Sequence, residues 1–246
     1  AENPDAGVMT VAVLYDGSPL VAAVKADGPI KEPKDFEGKT LAAPDFDAGR
    51  QLFPVFAAYT GIDLSKVSWL SVKPELREPM LARGEAEGIT GFVTSTVFGL
   101  KALGLEEGKD VKLFRYADYG AKLYSTGVHT TKAYAEKNPK LVTGTIRALV
   151  KGTQAAMADI DASIAALKEH EPLTDAALEK GRLQLTFDEL IATPEAKANG
   201  ISAVDKTRMQ SNIDDIEKAY GLPLKLKVED VYDDSYLPPK ADLMLK

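Results

Sequence analysis

Short apolar runs alternate with helical spacing through the first half of the chain, and the period then settles to that of helices. Val8–Leu14 is a valine-rich run, broken by Asp16-Gly-Ser-Pro19. Leu20–Val24 is a second apolar run, ended by Asp27-Gly-Pro29. Two such runs around a glycine-containing break predict a pair of strands joined by a tight turn. From Pro33 the pattern changes. A short helix closes at Gly38, and Thr40–Ala43 reads as a strand. Leu52, Phe53, Phe56 and Ala57 fall on one face of a helix ended by Gly61. Val67–Val72 is a strand. Pro74 opens a helix with Leu76, Met80 and Leu81 inward and Gly84 at its end. Gly88–Val93 is a strand, with Thr94 or Ser95 expected to cap a helix that stops at Gly104. Val111–Phe114 is a further strand. This β-α series predicts a mostly parallel sheet covered by helices.

Leu123–Val128 is expected to be one more strand. Beyond it the chain reads as helical: Asn138-Pro139 opens a helix with Leu141, Val142, Ile146, Leu149 and Val150 at helical spacing. Further helices are expected over 161–169, 174–191 and 205–220, and the tail from Leu224 offers one short strand. The reading groups residues 30–125 as a complete α/β lobe and residues 1–29 plus 126–246 as hinge strands with a helix-rich remainder. That remainder has amphipathic helices and little sheet to cover, so its apolar stripes need a partner.

Composition narrows the function classes. The chain has 246 residues, enough to bury a core unaided. Its net charge of -7 argues against a general nucleic-acid binder. It has no cysteine, which excludes thiolate metal sites and cysteine nucleophiles, and only two histidines, His129 and His170, far apart in sequence. No apolar run reaches the ~18–20 residues of a membrane span. The polar start, Ala1 to Gly7, lacks the layout of a signal peptide, so either there is none or the chain has lost its beginning.

The ordered segments Val11–Leu20, Pro33-Lys-Asp-Phe-Glu-Gly-Lys-Thr40, Gly61–Trp69, Gly88-Ile-Thr-Gly-Phe92 and Tyr116-Ala-Asp-Tyr-Gly120, with Asn138-Pro139 after them, resemble the periplasmic substrate-binding proteins of ABC importers. Within them the chain is most similar to the taurine/nitrate/thiamin-pyrimidine class. The resemblance implies an α/β fold of the two-lobed, type II periplasmic-binding-protein kind. It also implies that lobe 1 is incomplete at its N-terminus, because the family carries ~70–90 residues, within domain norms, ahead of the matching segment.

The resemblance further implies a small-molecule ligand held between lobes, a membrane permease as a transient partner, a periplasmic or membrane-tethered extracellular location, no cofactor, no metal and no reaction. A monomer is expected, or a dimer if a partner chain replaces the missing part of lobe 1. Ligands of open α/β sheets lie beyond the carboxyl ends of the strands, and three places there are candidates. In Pro44–Arg50, Asp45 and Asp47 would bind an amino-bearing ligand and Phe46 would stack on a ring; for Asp47 alone a helix cap is the simpler reading. In the second, Thr90, Gly91, Phe92 and Thr94 surround a strand interrupted by glycine, a sign of close approach. In the third, Tyr116, Tyr119 and Tyr124 offer flat faces with hydroxyls, or are partly buried hinge residues. Asp16 and Ser18 at the first break are a weaker candidate, and the plain turn is the simpler reading. The paired acids at 45 and 47 favour a planar, neutral or cationic ligand such as a pyrimidine thiamin precursor over sulfonate or nitrate. The competing readings are the effector domain of a LysR-type regulator and a thiamin-pyrimidine synthase. Relatives of the latter kind use a histidine and a cysteine-rich segment, and this chain has no cysteine.

Overall fold

The structure, a computed structural model, describes residues 7–223 and 225–245. The polar start at residues 1–6 lies outside the described residues. Along the chain run β1 (Val8–Tyr15), β2 (Leu20–Lys25), β3 (Thr40–Ala43), α1 (Ala48–Gln51), α2 (Phe53–Thr60), β4 (Ser68–Ser71), α3 (Arg77–Arg83), β5 (Gly88–Phe92), α4 (Val93–Ala102), β6 (Val111–Arg115) and β7 (Ser125–Thr131). Helices follow: α5 (Lys132–Lys137), α6 (Pro139–Ala158), α7 (Ile160–His170), α8 (Ala176–Leu185), α9 (Pro194–Asn199), α10 (Lys206–Tyr220), α11 (Val228–Val231) and α12 (Lys240–Leu243). A π-helical segment, Thr186–Ile191, extends α8. The chain forms two compact units, Pro19–Lys122 and Ala1–Ser18 with Leu123–Lys246.

The Pro19–Lys122 unit is built on a five-stranded sheet of order β4-β3-β5-β2-β6. β3 runs parallel to β4 and β5, while β2 is antiparallel to both β5 and β6. Each face has its own chemistry. Ala23, Ala42, Ile89 and Val111 pack with Leu81 of α3 and Leu100 of α4 in an aliphatic layer. The other face is aromatic: Phe36, Phe53, Phe56, Phe114 and Tyr116 are all fully buried, with Phe56 stacked on Tyr116 at 4.5 Å between ring centroids. Edge-to-face contacts tie Phe36 to Phe53, Phe56 and Phe114, the arrangement that ring quadrupoles favour.

The strand pair expected from β1 and β2 does not form. β2 is buried on both faces from Leu20 to Val24, so it fills the interior of the five-stranded sheet, where a hairpin partner open to solvent on one side would leave those side chains exposed. β1 instead pairs antiparallel with β7 in a two-stranded sheet. Residues 20–25, grouped with 1–29 in the sequence reading, therefore belong to the sheet of the Pro19–Lys122 unit.

In the other unit, Val13 packs with Val228 and Tyr232, flanked by Tyr124, Val204, Met209 and Ile213. The long helix α6 buries Val142, Ile146 and Val150, while Leu141 and Leu149 of the expected stripe are exposed. The short strand expected in the tail is absent among the described residues: a single bridge joins Tyr232 to Thr10.

Candidate functional site

The carboxyl ends of β3, β5 and β6 gather three chain segments at one rim of the five-stranded sheet. The first is the turn from β3 into α1. Asp47 is the N-cap of α1 and accepts from the Arg50 amide at 2.9 Å, as the cap reading expects. Its second oxygen is taken as well: Oδ1 also accepts from the Thr90 hydroxyl at 3.0 Å, and Oδ2 accepts from Arg77 Nη1 at 3.0 Å. Asp45 is bound on the outer side of the turn. Its Oδ1 accepts from Ser71 Oγ at 2.5 Å and pairs with Arg50 Nη1 at 2.7 Å. Arg50 in turn lies over the ring of Trp69 and donates to the Ala43 carbonyl. Between two fixed carboxylates stands Phe46, whose side chain is 72% exposed.

The second segment is the passage from β5 into α4. Thr90 is fully buried. Gly91 has no room for a side chain: a Cβ would lie 2.6 Å from Arg77 Nη1 and 2.7 Å from the Thr96 hydroxyl. Close approach was the reading for Gly91, and the approaching group is the Arg77 guanidinium. Phe92, half-buried, is the N-cap of α4 and makes no side-chain cap hydrogen bond. Thr94 and Ser95, expected as caps, instead lie inside the first turn, since the helix begins at Val93. The Val93 amide is satisfied by the Pro19 carbonyl at 2.7 Å, so no side-chain cap is needed there. Ser95 Oγ donates to the Phe92 carbonyl and accepts from Arg77 Nη2.

The third segment is the turn Tyr116–Tyr119. Tyr116 is enclosed in the aromatic layer and donates its hydroxyl to the Gly49 carbonyl at 2.9 Å. Burial holds its phenol well above the ordinary tyrosine range. It therefore supports α1 from beneath, and its ring has no free face. Tyr119 is half-buried with its ring against Phe56 and Phe114, and burial raises its phenol too.

Asp16, Ser18 and Tyr124 lie in the other unit. The Arg208 guanidinium spans 3.8 Å to the Tyr124 ring centroid, donates to Asp16 Oδ1 at 2.8 Å and to the Asp16 carbonyl at 2.6 Å. Thr193 also donates to Asp16. Gly17 is pressed against the π-helical segment, its amide on the Leu190 carbonyl. Ser18 Oγ is buried with no hydrogen-bond partner among the described residues. The Tyr124 hydroxyl accepts from the Asp205 amide, and burial raises this phenol above the ordinary range.

The residues missed by sequence reasoning are Arg77, Glu78, Arg50 and Arg208. Arg77 and Glu78 are both buried, and Glu78 Oε1 accepts from Arg77 Nε and Nη2 at 2.9 and 2.6 Å. In sequence they look like the solvated first turn of a helix. The one signal for them was Gly91, which marks the spot where something must cross. Among the described residues, no group of three or more His, Asp or Glu side chains is placed to hold a metal ion.

Comparison with known proteins places the fold. The periplasmic aliphatic sulphonate binding protein SsuA from Escherichia coli is similar at a TM-score of 0.71 and 16% identity, over 98% of this chain and 74% of that one. The alkanesulfonate-binding protein SsuA from Xanthomonas axonopodis pv. citri, bound to MOPS, gives 0.68 at 15% identity, over 92% and 74%. The ligand-binding component of an ABC-type import system from Staphylococcus aureus, with zinc bound, gives 0.68 at 11% identity, over 97% and 76%. The fold is thus the expected α/β, two-lobed periplasmic-binding-protein-like one. No curated protein matches the chain in sequence. The family model described as NMT1/THI5 like matches residues 1–163, and the chain belongs to that family.

Proposed function

We propose that the chain is the solute-binding component of an ABC importer, working outside the cytoplasmic membrane with a membrane permease and binding its solute without turning it over. Family membership and fold support this reading. No helix among the described residues is long and apolar enough to cross a membrane. The ligand class is a small planar, amino-bearing molecule such as a pyrimidine. One observation carries that choice: Phe46 is 72% exposed on a turn held at both sides by paired carboxylates. An exposed aromatic ring on a fixed turn at the carboxyl ends of parallel strands suits a stacked ring. Asp45 uses Oδ1 for Arg50 and Ser71, which leaves Oδ2 as an acceptor for a ligand amino group.

A second reading is an organic sulfonate. Asp45 and Asp47 each face an arginine, so the turn is less repulsive to anions than its sequence suggests, and two of the similar structures bind sulfonates by name. Calorimetric titration of the full chain with 4-aminopyrimidine, taurine, ethanesulfonate and nitrate separates the two. The pyrimidine is expected to bind, and Phe46→Ala to weaken it about tenfold or more, the typical value of one stacked ring. Tight binding of sulfonate or nitrate with no heat from the pyrimidine would overturn the ligand assignment.

A further inference from the structure

The two faces of the five-stranded sheet are joined across the end of β5 by one side chain. α1 and the turn before it lie on the aromatic face, where Tyr116 donates to Gly49. α3 and α4 lie on the aliphatic face with Leu81 and Leu100. Arg77 starts α3, yet its guanidinium passes over Gly91 to Asp47. It holds two other segments at once, Asp47 on the ring-bearing turn and Ser95 in the first turn of α4, and pairs with its own neighbour Glu78. Gly49 completes the fit, since a Cβ there would stand 2.7 Å from the Gly91 amide nitrogen. A planar fork of five donors suits this task, and an ammonium does not.

The geometry points to Arg77 as the positioning residue of the solute site: it touches no solute, and it fixes the Phe46 ring through Asp47 while locking the start of α4 to the same point. Both oxygens of Asp47 are engaged by protein donors and its side chain is only 10% exposed, so its contribution is made through Phe46. This inference rests on the reading of Phe46 as the stacking ring. It adds a clamp buried behind the rim that sets affinity from beneath.

Two measurements on the full chain test it. Amide hydrogen exchange of the free protein reads the turn without any solute. In Arg77→Lys, exchange over residues 44–52 is expected to rise about tenfold, the worth of one charge-assisted hydrogen bond, with residues 139–158 of α6 unchanged. Ser95→Ala, which removes one partner and leaves no buried charge unpaired, is expected to give a smaller rise over the same residues, and it serves if the lysine variant folds poorly. Titration with 4-aminopyrimidine then asks through which group Arg77 acts. Arg77→Lys is expected to weaken binding about tenfold in the wild-type background and less than twofold alongside Phe46→Ala. Unchanged exchange at 44–52 in both variants overturns the clamp. Equal weakening with and without Phe46 overturns its action through that ring. If the wild type binds no pyrimidine, the ligand reading falls, and the exchange result still decides the clamp.

Discussion

Arg77 Nη1 donates to Asp47 Oδ2 at 3.0 Å from a side chain that is itself buried between two carboxylates. The cluster of Asp47, Arg77 and Glu78 carries one cation for two anions in a region where water is largely excluded. Removing the cation leaves both carboxylates uncompensated. Arg77→Ala is therefore expected to destabilise the protein by about 3–5 kcal/mol, the usual result of breaking a buried pair from one side. Arg77→Lys keeps the charge and loses the fork, and is expected to cost less. Urea denaturation at neutral pH measures both, and equal stability of the alanine variant and the wild type would show that the cluster is hydrated.

Three glycines separate close approach from ordinary helix propensity. At Gly17 a Cβ would fall 2.1 Å from the Glu189 carbonyl oxygen, which is backbone and cannot rotate aside. At Gly91 it would meet the Arg77 guanidinium. At Gly144, inside α6, nothing lies within 4 Å. Gly17→Ala and Gly91→Ala are expected to cost about 1–3 kcal/mol each. Gly144→Ala is expected to gain about 0.5–1 kcal/mol, because alanine loses less chain entropy in a helix. Thermal unfolding of the three variants should give two decreases and one increase in Tm.

Much of the Pro19–Lys122 unit was legible because period and breaker coincide there. Gly61 and Gly84 end α2 and α3 in the left-handed conformation, and the four parallel strands fall on the apolar runs. What the pattern hid is long-range. Leu20–Val24 shows an apolar run in either setting, a hairpin or a sheet interior, and only its neighbours Gly88–Phe92 and Val111–Arg115 decide between them. Helix period carries α8 into residues 186–191, while the register there widens to π. The candidate site was half legible. Asp47 as a cap and Gly91 as a close approach follow from residue type. Tyr116 as a pillar of the core does not, since a tyrosine reads alike whether its ring is open or enclosed. Arg77 and Arg208 were invisible, because an arginine on a helix is usually solvated and only the fold brings Asp47 and Asp16 to them.

Tyr116 joins the aromatic layer to the start of α1 through one hydroxyl. Tyr116→Phe keeps the stacked ring on Phe56 and leaves the Gly49 carbonyl without its donor. A loss of about 1 kcal/mol is expected, the net worth of one buried neutral hydrogen bond. Phe56→Ala removes a ring that touches Phe36, Phe53, Tyr116 and Tyr119, and is expected to cost about 3–5 kcal/mol. Chemical denaturation ranks the two, and a tyrosine variant more costly than the phenylalanine one would contradict the assignment of the layer's stability to ring burial.

Glu37 gives the same unit an acid-sensitive contact. Its carboxylate accepts from Lys34, from the Asp63 amide and from Lys66, tying the Pro33–Phe36 turn to the segment before β4. Those contacts, Lys34 first, hold its pKa down to about 2. A carboxyl whose folded pKa lies below its unfolded one stabilises the fold fully above the unfolded value, near 4.3, and loses that contribution as pH falls toward the folded value. Glu37→Gln cannot titrate. The stability difference between wild type and Glu37→Gln is therefore expected to be constant from pH 7 to about 5, to shrink below that, and to fade as pH approaches 2. Added salt should shrink it at pH 7 as well, because the pairs face solvent. A difference that holds constant down to pH 2 would show that the carboxylate's charge contributes nothing to holding these two segments together.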